Sequence, residues 1–401
     1  MYDYGRRPAN YTPLILGIVS VLVVVAAFQL LRGVPEPEVT ITFPESSPLG
    51  EVRVPSLPEE GSSIIAVEGL GTLATAGPTQ PRPIASVTKI MTAYVILKNH
   101  PLQPGQTGPT IELTVRDQQR WLEMLAQDQS SLPVSAGQRL NQLQLLQGLL
   151  VPSANNYAEI LANWDSGSVT AFVQKMNAEA QALGMKDTRY VDTSGFASGS
   201  ISTPADQLIL ARTAMADPVF ASTVRLERVN IPGVGFVNAV NQLLGEDGVI
   251  GIKTGFTEEA GGNLAFAAER ESNGAEVIVY GVVLGQEDRP AAFSATSAVL
   301  ESLDGGLSVR RVITNGQPIA TIETDWGASV DLIVGEDVQM LAWPGLVMTT
   351  SVELEDVSSP ASAGEQVGWV NVMLGEQARR VPLVLAKDLD GAGLFWRLTH
   401  F

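Results

Sequence analysis

The chain has 401 residues, enough for two or three domains with cores of their own. It holds no cysteine, so disulfides, thiolate catalysis and cysteine metal sites are excluded. A net charge of −18 argues against a nucleic-acid partner, and two isolated histidines, His100 in a Pro-flanked loop and His400 next to the end, argue against a zinc site or a Ser-His-Asp triad.

Pro13 to Leu31 is 19 residues without a charge, long enough to span a bilayer as a helix. Arg6 and Arg7 precede it, and Glu36 and Glu38 come after it. The positive-inside rule then predicts a cytoplasmic tail over 1–12 and an extracytoplasmic remainder. Cleavage at Val25-Ala26-Ala27, as in a signal peptide, is the alternative. The apolar run continues through Gln29-Leu30-Leu31, which favours an uncleaved anchor. Both readings export the rest of the chain, either as a single-pass membrane protein or as a secreted one.

Residues 32–60 repeat proline and glutamate, and predict a stiff linker that lifts the next domain off the membrane. Residues 61–305 mix strand and helix signals. Ser63–Val67 and Thr72–Ala76 predict a hairpin around Gly69-Leu70-Gly71. Ser86 opens a helix on which Val87, Ile90, Met91, Tyr94 and Val95 recur on one face. Further helical stretches cover Leu140–Trp164 and Val169–Leu183. Gly248–Thr254, Asn263–Ala268 and Glu276–Leu284 read as strands, and Ala291–Leu303 as a closing helix. The order predicts an α+β domain with helices packed on an antiparallel sheet. Over 306–388 short apolar runs alternate with turn residues, which predicts a small all-β domain. Residues 389–401 form a tail with Leu394, Phe395 and Trp396, expected to pack on that domain or to fray.

Three short motifs carry chemistry. Ser86-Val87-Thr88-Lys89 sets a hydroxyl and an amine three residues apart, on one face of a helix. With no suitable histidine, lysine is the remaining base, provided burial and a second cation lower its pKa. Ser153-Ala154-Asn155 comes after Pro152 in a loop before a helix starting near Tyr157, where both polar side chains can enter a cleft. Lys253-Thr254-Gly255 ends a strand; Gly255 lets a ligand lie against the backbone, and an extended peptide can add there as a further strand. Taken singly, each motif is more often an N-cap, a capped loop or a protected edge strand. Together, in this order and 67 and 100 residues apart, they form the S-x-x-K, S-x-N, K-T-G set.

The sequence resembles the low-molecular-mass penicillin-binding proteins, the serine-type D-Ala-D-Ala carboxypeptidases of the peptidase S11 kind. The likeness runs through Pro83–Ala93, Leu149–Asn156, Met176–Met185, Thr193-Ser194-Gly195, Asp247–Gly262 and Val282–Gly285. It is strong over 61–305 and looser over 306–388. The resemblance implies a β-lactamase/DD-peptidase-like catalytic domain and an acyl-enzyme on Ser86, formed from peptidoglycan stem peptides ending in D-Ala-D-Ala. It implies Lys89 as base, Ser153 and Asn155 assisting, and Lys253 and Thr254 binding the terminal carboxylate. The backbone N–H groups of Ser86 and Phe256 would form the oxyanion hole, β-lactams would be covalent inhibitors, and no cofactor is expected. Two positions depart from the family's habit: Ala154 where glycine is frequent, and Phe256 where histidine is frequent. Arg289 is a candidate for the cleft rim.

Three other readings compete. A class A β-lactamase needs a glutamate between the second and third motifs to activate water. Glu179, Glu227 and Glu246 are the candidates, and none has a suitable context. A DD-endopeptidase would use the same site on crosslinked peptides. A non-catalytic sensor of β-lactams or cell wall would need a larger cytoplasmic output than residues 1–12 provide.

Overall fold

A computed structural model describes residues 10–272 and 275–400, so Arg6 and Arg7 lie outside the described residues. Thr12–Leu31 forms one helix of 20 residues, exposed except at Ala26 and Gln29 and apolar enough to cross a membrane by length and composition. The chain divides into two compact units, Gly50–Val309 with Leu341–Leu346, and the terminal segments with Arg310–Met340 and Val347–Phe401.

The first unit is built on a five-stranded antiparallel sheet. Its order is Val249–Thr257, Gly261–Ser272, Ala275–Gln286, Ser62–Val67, Gly71–Ala76. Successive residues point to opposite faces of a strand, and here both faces are covered. Ile64, Ala66, Ala265, Ala267, Val282 and Leu284 join a core with the many helices of 89–224. Ile65, Val67, Leu264, Phe266, Val279 and Val283 join a second core under the helix Arg289–Ser302, with Trp343 among its members. The predicted strands and the closing helix are therefore present, with ends that differ from the expectation by at most four residues. Helices over Val115–Ala126, Pro204–Met215 and Pro218–Val224 add to the predicted set.

The terminal unit holds a seven-stranded antiparallel sheet. Its order is Glu38–Ile41, Pro318–Glu323, Ser329–Val334, Gln377–Leu385, Gln366–Leu374, Val347–Leu354, Ser46–Pro48. This corrects the reading of 32–60 as a spacer, because both edge strands come from it. Proline is tolerated at sheet edges, where one side of the strand needs no partner, so Pro44 and Pro48 do not prevent pairing. The two edge strands are joined through Thr42–Glu45. Five residue steps reach at most about 18 Å, whereas a flat seven-stranded sheet would be about 29 Å wide. The sheet must therefore curl until its edges approach. At the chain end, Leu394–Thr399 is a short helix; Trp396 Nε1 donates to the Asp325 carbonyl at 3.2 Å and Arg397 Nη1 to the Leu30 carbonyl at 3.2 Å. The tail is thus packed within its own unit.

Candidate active site

Ser86 lies in a 3-10 turn, Ala85–Thr88, that runs into the helix Lys89–Asn99. The helix expected to open at Ser86 thus begins three residues later. Residues three apart eclipse in a 3-10 turn, which stacks Lys89 over Ser86. Lys89 Nζ donates to Ser86 Oγ at 2.7 Å and to the Ser194 carbonyl at 3.2 Å. Lys89 is fully buried. Burial is the largest influence on its amine and drives its pKa well below the ordinary lysine value. The charge of Lys253 pushes the same way, Asp192 opposes, and Arg289 again lowers it.

The second motif fills the break between the helices Gln142–Leu150 and Asn155–Ser166. Ser153 sits in the left-handed region at φ 69°, unusual for a residue with a side chain, and this turn aims it into the cleft. Asn155 is fastened from behind. Its backbone N–H donates to the Ser130 carbonyl at 2.7 Å, and its Nδ2 donates to Gln129 Oε1 at 2.9 Å. Its Oδ1 has no hydrogen-bond partner among the described residues. Asn156 adds a second clamp, exchanging hydrogen bonds with the Leu132 backbone at 3.1 and 2.8 Å.

The third motif lies on the edge strand Val249–Thr257, with Lys253 opposite Ala265 and Thr254 opposite Leu264. The space left by Gly255 has a second use besides the one expected. A Cβ there would stand 2.8 Å from the Ile84 carbonyl oxygen and 3.0 Å from the Ser86 nitrogen. The glycine admits the Ser86 turn against the strand, and it also lines the cleft. Lys253 is buried, and its Nζ donates to the Thr254 carbonyl at 3.1 Å. Burial, then the charge of Arg289, lowers its pKa to about 7.

All three motifs open on one cleft of about 750 Å³, lined by Ser86, Ser153, Asn155, Thr254, Gly255 and Phe256 among others. Lys89 and Lys253 lie behind its wall, buried. Gln129, Phe196 and Arg289 also line it. Arg289 opens the helix Arg289–Ser302, and its guanidinium carbon stands 5.7 Å from the Phe256 ring centroid. The sequence offers no signal for Gln129. For the loop after Asp192, the signal is an aspartate with serine and glycine close behind it, a turn-forming run. None of Glu179, Glu227 and Glu246 lines the cleft, and Glu179 pairs with Lys98 at 2.6 Å. His100 is bonded to Asp165 at 2.9 Å and is not among the residues of the cleft.

A hydroxyl at the cleft paired with a buried amine, a second hydroxyl and amide, and an open strand edge beside two further cations suit acyl transfer from a peptide with a free carboxylate. Comparison with known proteins agrees. The family profile for D-alanyl-D-alanine carboxypeptidase matches residues 61–288. The D-alanyl-D-alanine carboxypeptidase DacD of Escherichia coli (strain K12) is 25% identical over 85% of this chain and 89% of its own. A D-alanyl-D-alanine endopeptidase of Haemophilus influenzae is 31% identical over 49% of this chain and 65% of its own. In structure, penicillin binding protein 5 of Haemophilus influenzae matches with a TM-score of 0.60 at 21% identity, over 85% of this chain and all of that one, which is a likeness of fold.

Proposed function

The chain belongs to the D-alanyl-D-alanine carboxypeptidase family, and from that premise we propose that it removes the terminal D-alanine of peptidoglycan stem peptides through an acyl-enzyme on Ser86. Neutral Lys89 takes the Ser86 proton as Oγ attacks the carbonyl carbon between the two D-alanines. The oxyanion is held by the backbone N–H groups of Ser86 and Phe256. As the C–N bond breaks, a proton passes from Lys89 by way of Ser153 to the departing amine, and D-alanine leaves. Water then attacks the ester, giving its proton to Lys89, and the Ser86 hydroxyl is restored as the shortened peptide is released. Asn155 holds the peptide backbone. Lys253, Thr254 and Arg289 receive the terminal carboxylate. A carboxylate bound there favours the charged form of Lys253, whose pKa of about 7 leaves it ready to gain a proton.

The single observation that carries this reading is the 2.7 Å contact between Ser86 Oγ at the cleft and the buried, cation-flanked Nζ of Lys89. A β-lactam presents a strained amide and a carboxylate to the same groups and would be trapped on Ser86. The helix Thr12–Leu31 serves as a single-pass anchor, with the chain that follows it outside the membrane. Crosslinked peptides are the alternative substrate, supported by the endopeptidase-named relative.

The test is D-alanine release from a synthetic peptide ending in D-Ala-D-Ala, using the full chain in detergent beside Ser86→Ala. Release by the first alone is expected. A folded protein that labels with penicillin yet releases none, while cutting crosslinked peptides, would replace carboxypeptidase with endopeptidase.

A further inference from the structure

The Ser194 carbonyl that meets Lys89 belongs to a loop, and that loop is organised around one carboxylate which the proposed reaction leaves unused. Asp192 Oδ1 accepts from the Gly195 N–H at 3.0 Å and the Ser200 hydroxyl at 2.5 Å. Its Oδ2 accepts from the Phe196 N–H at 2.8 Å, the Ala197 N–H at 3.3 Å and the Ser194 hydroxyl at 3.1 Å. Five donors on one side chain fix a segment that has no helix or strand of its own. Its neighbours hold it against the nucleophile. Thr92 Oγ1, from the nucleophile helix, donates to the Thr193 carbonyl at 2.7 Å. Gly195, at φ 76°, crosses so close to the turn that a Cβ would collide with the Ala85 carbonyl. The Ile84 N–H donates to the Ser200 carbonyl at 3.3 Å. The loop therefore wraps the strand and turn that present Ser86, and its outer residues Phe196, Ala197 and Ser198 line the cleft.

We infer that Asp192 is a positioning residue for the acylation step: its carboxylate presses the Ser194 carbonyl against the Lys89 amine and faces that amine with an anionic charge. The other charges acting on Lys89 are those of Lys253 and Arg289, both cationic. Asp192 thus opposes them, and it also fixes an acceptor that orients the amine toward Ser86 Oγ. The inference rests on the reading of Lys89 as the general base.

The experiment is the second-order rate constant for acylation of the full chain by a fluorescent penicillin, measured across pH for wild type, Asp192→Asn and Asp192→Glu, with melting temperatures alongside. In Asp192→Asn the protonated amine loses its anionic neighbour, so the acid limb of the profile should move to lower pH. Its plateau should fall about 10- to 100-fold as the loop loosens. Asp192→Glu keeps the charge but misplaces the oxygens, so its plateau should fall while the acid limb stays. An unmoved acid limb in Asp192→Asn would overturn the inference, whatever the plateau. So would two variants that fail to fold, because the carboxylate would then hold the domain rather than the base. A wild type that is not acylated at all would instead remove the reading of Ser86 and Lys89, and the inference with it.

Discussion

The two sheets of this molecule bury their residues in different ways, and the difference decides where chemistry can sit. In the five-stranded sheet Ser62–Val67 is buried at every position, because helices cover both faces. In the seven-stranded sheet Ser329–Val334 alternates, with Val330, Leu332 and Val334 buried and the residues between them open. A lysine at the edge of the two-faced sheet is shielded from water, so its charged form is disfavoured. Lys253 is in that position, and Lys89, at the start of the helix Lys89–Asn99, is buried as well. On the one-faced sheet the cations stay solvated: Arg380 donates to Glu353 at 2.6 Å and lies over Trp369, half exposed. A cationic side chain is pushed toward its neutral form in one unit and stays a solvated surface charge in the other, and the number of covering layers makes the difference.

Breaking the packing at the buried edge should have the largest effect. In Gly255→Ala the new Cβ meets the backbone of Ile84 and Ser86, which moves the Ser86 turn. Acylation by penicillin should slow on the order of 10²-fold, as expected for a misplacement of about 1 Å; a rate within twofold of wild type would show that the turn is free to shift. Removing the flanking cation comes next. Lys253→Gln takes a positive charge from beside Lys89, so that amine should hold its proton to higher pH and the acid limb should move up. A displacement of one pH unit would cost about tenfold in rate on the acid side; an unmoved limb would separate the two lysines electrostatically.

Stability should sharpen the contrast in the same direction. The Lys253 pKa is about 7 in the folded chain against 10.5 for an ordinary lysine. Between those values the unfolded chain binds a proton that the folded one lacks. Unfolding free energy should therefore rise with pH from about 7 toward 10.5 on account of this group. Denaturant titrations of Lys253→Met should show a flatter slope across that window than wild type, and an equal slope would mean the lysine is charged when folded. The smallest effect belongs to the other sheet. Arg380→Ala should leave acylation unchanged and cost at most about 1 kcal/mol of stability, the worth of an exposed ion pair; a larger loss on chemical unfolding would mean that this pair is shielded after all.

Much of the buried unit is legible in the sequence because its signals are local. The three motifs, the hairpin before Ser86 and the strands around Lys253 are written in spacing and alternation. Three features are not. The 3-10 turn at Ser86 depends on Gly255 and Gly195, which lie far along the chain and make room for it. Asn155 is oriented by Gln129, a contact between residues 26 apart that no periodicity announces. Glu38–Ile41 and Ser46–Pro48 look like a proline-rich spacer because edge strands need only one partner, and that partner comes some 280–300 residues later. The helix Val115–Ala126 is announced by the capping box between Thr114 and Asp117 as well as by its amphipathic spacing.

The proposed chemistry turns on Lys89 being neutral in the folded protein at the pH where Ser86 reacts. The direct measurement is an NMR titration of lysine labelled with carbon-13 at Cε, in the full chain, with the Lys89 signal assigned by its loss in Lys89→Arg. A midpoint well below 10.5 is the predicted result, rising in Lys253→Gln. A midpoint at the ordinary lysine value would contradict the assignment of Lys89 as the base.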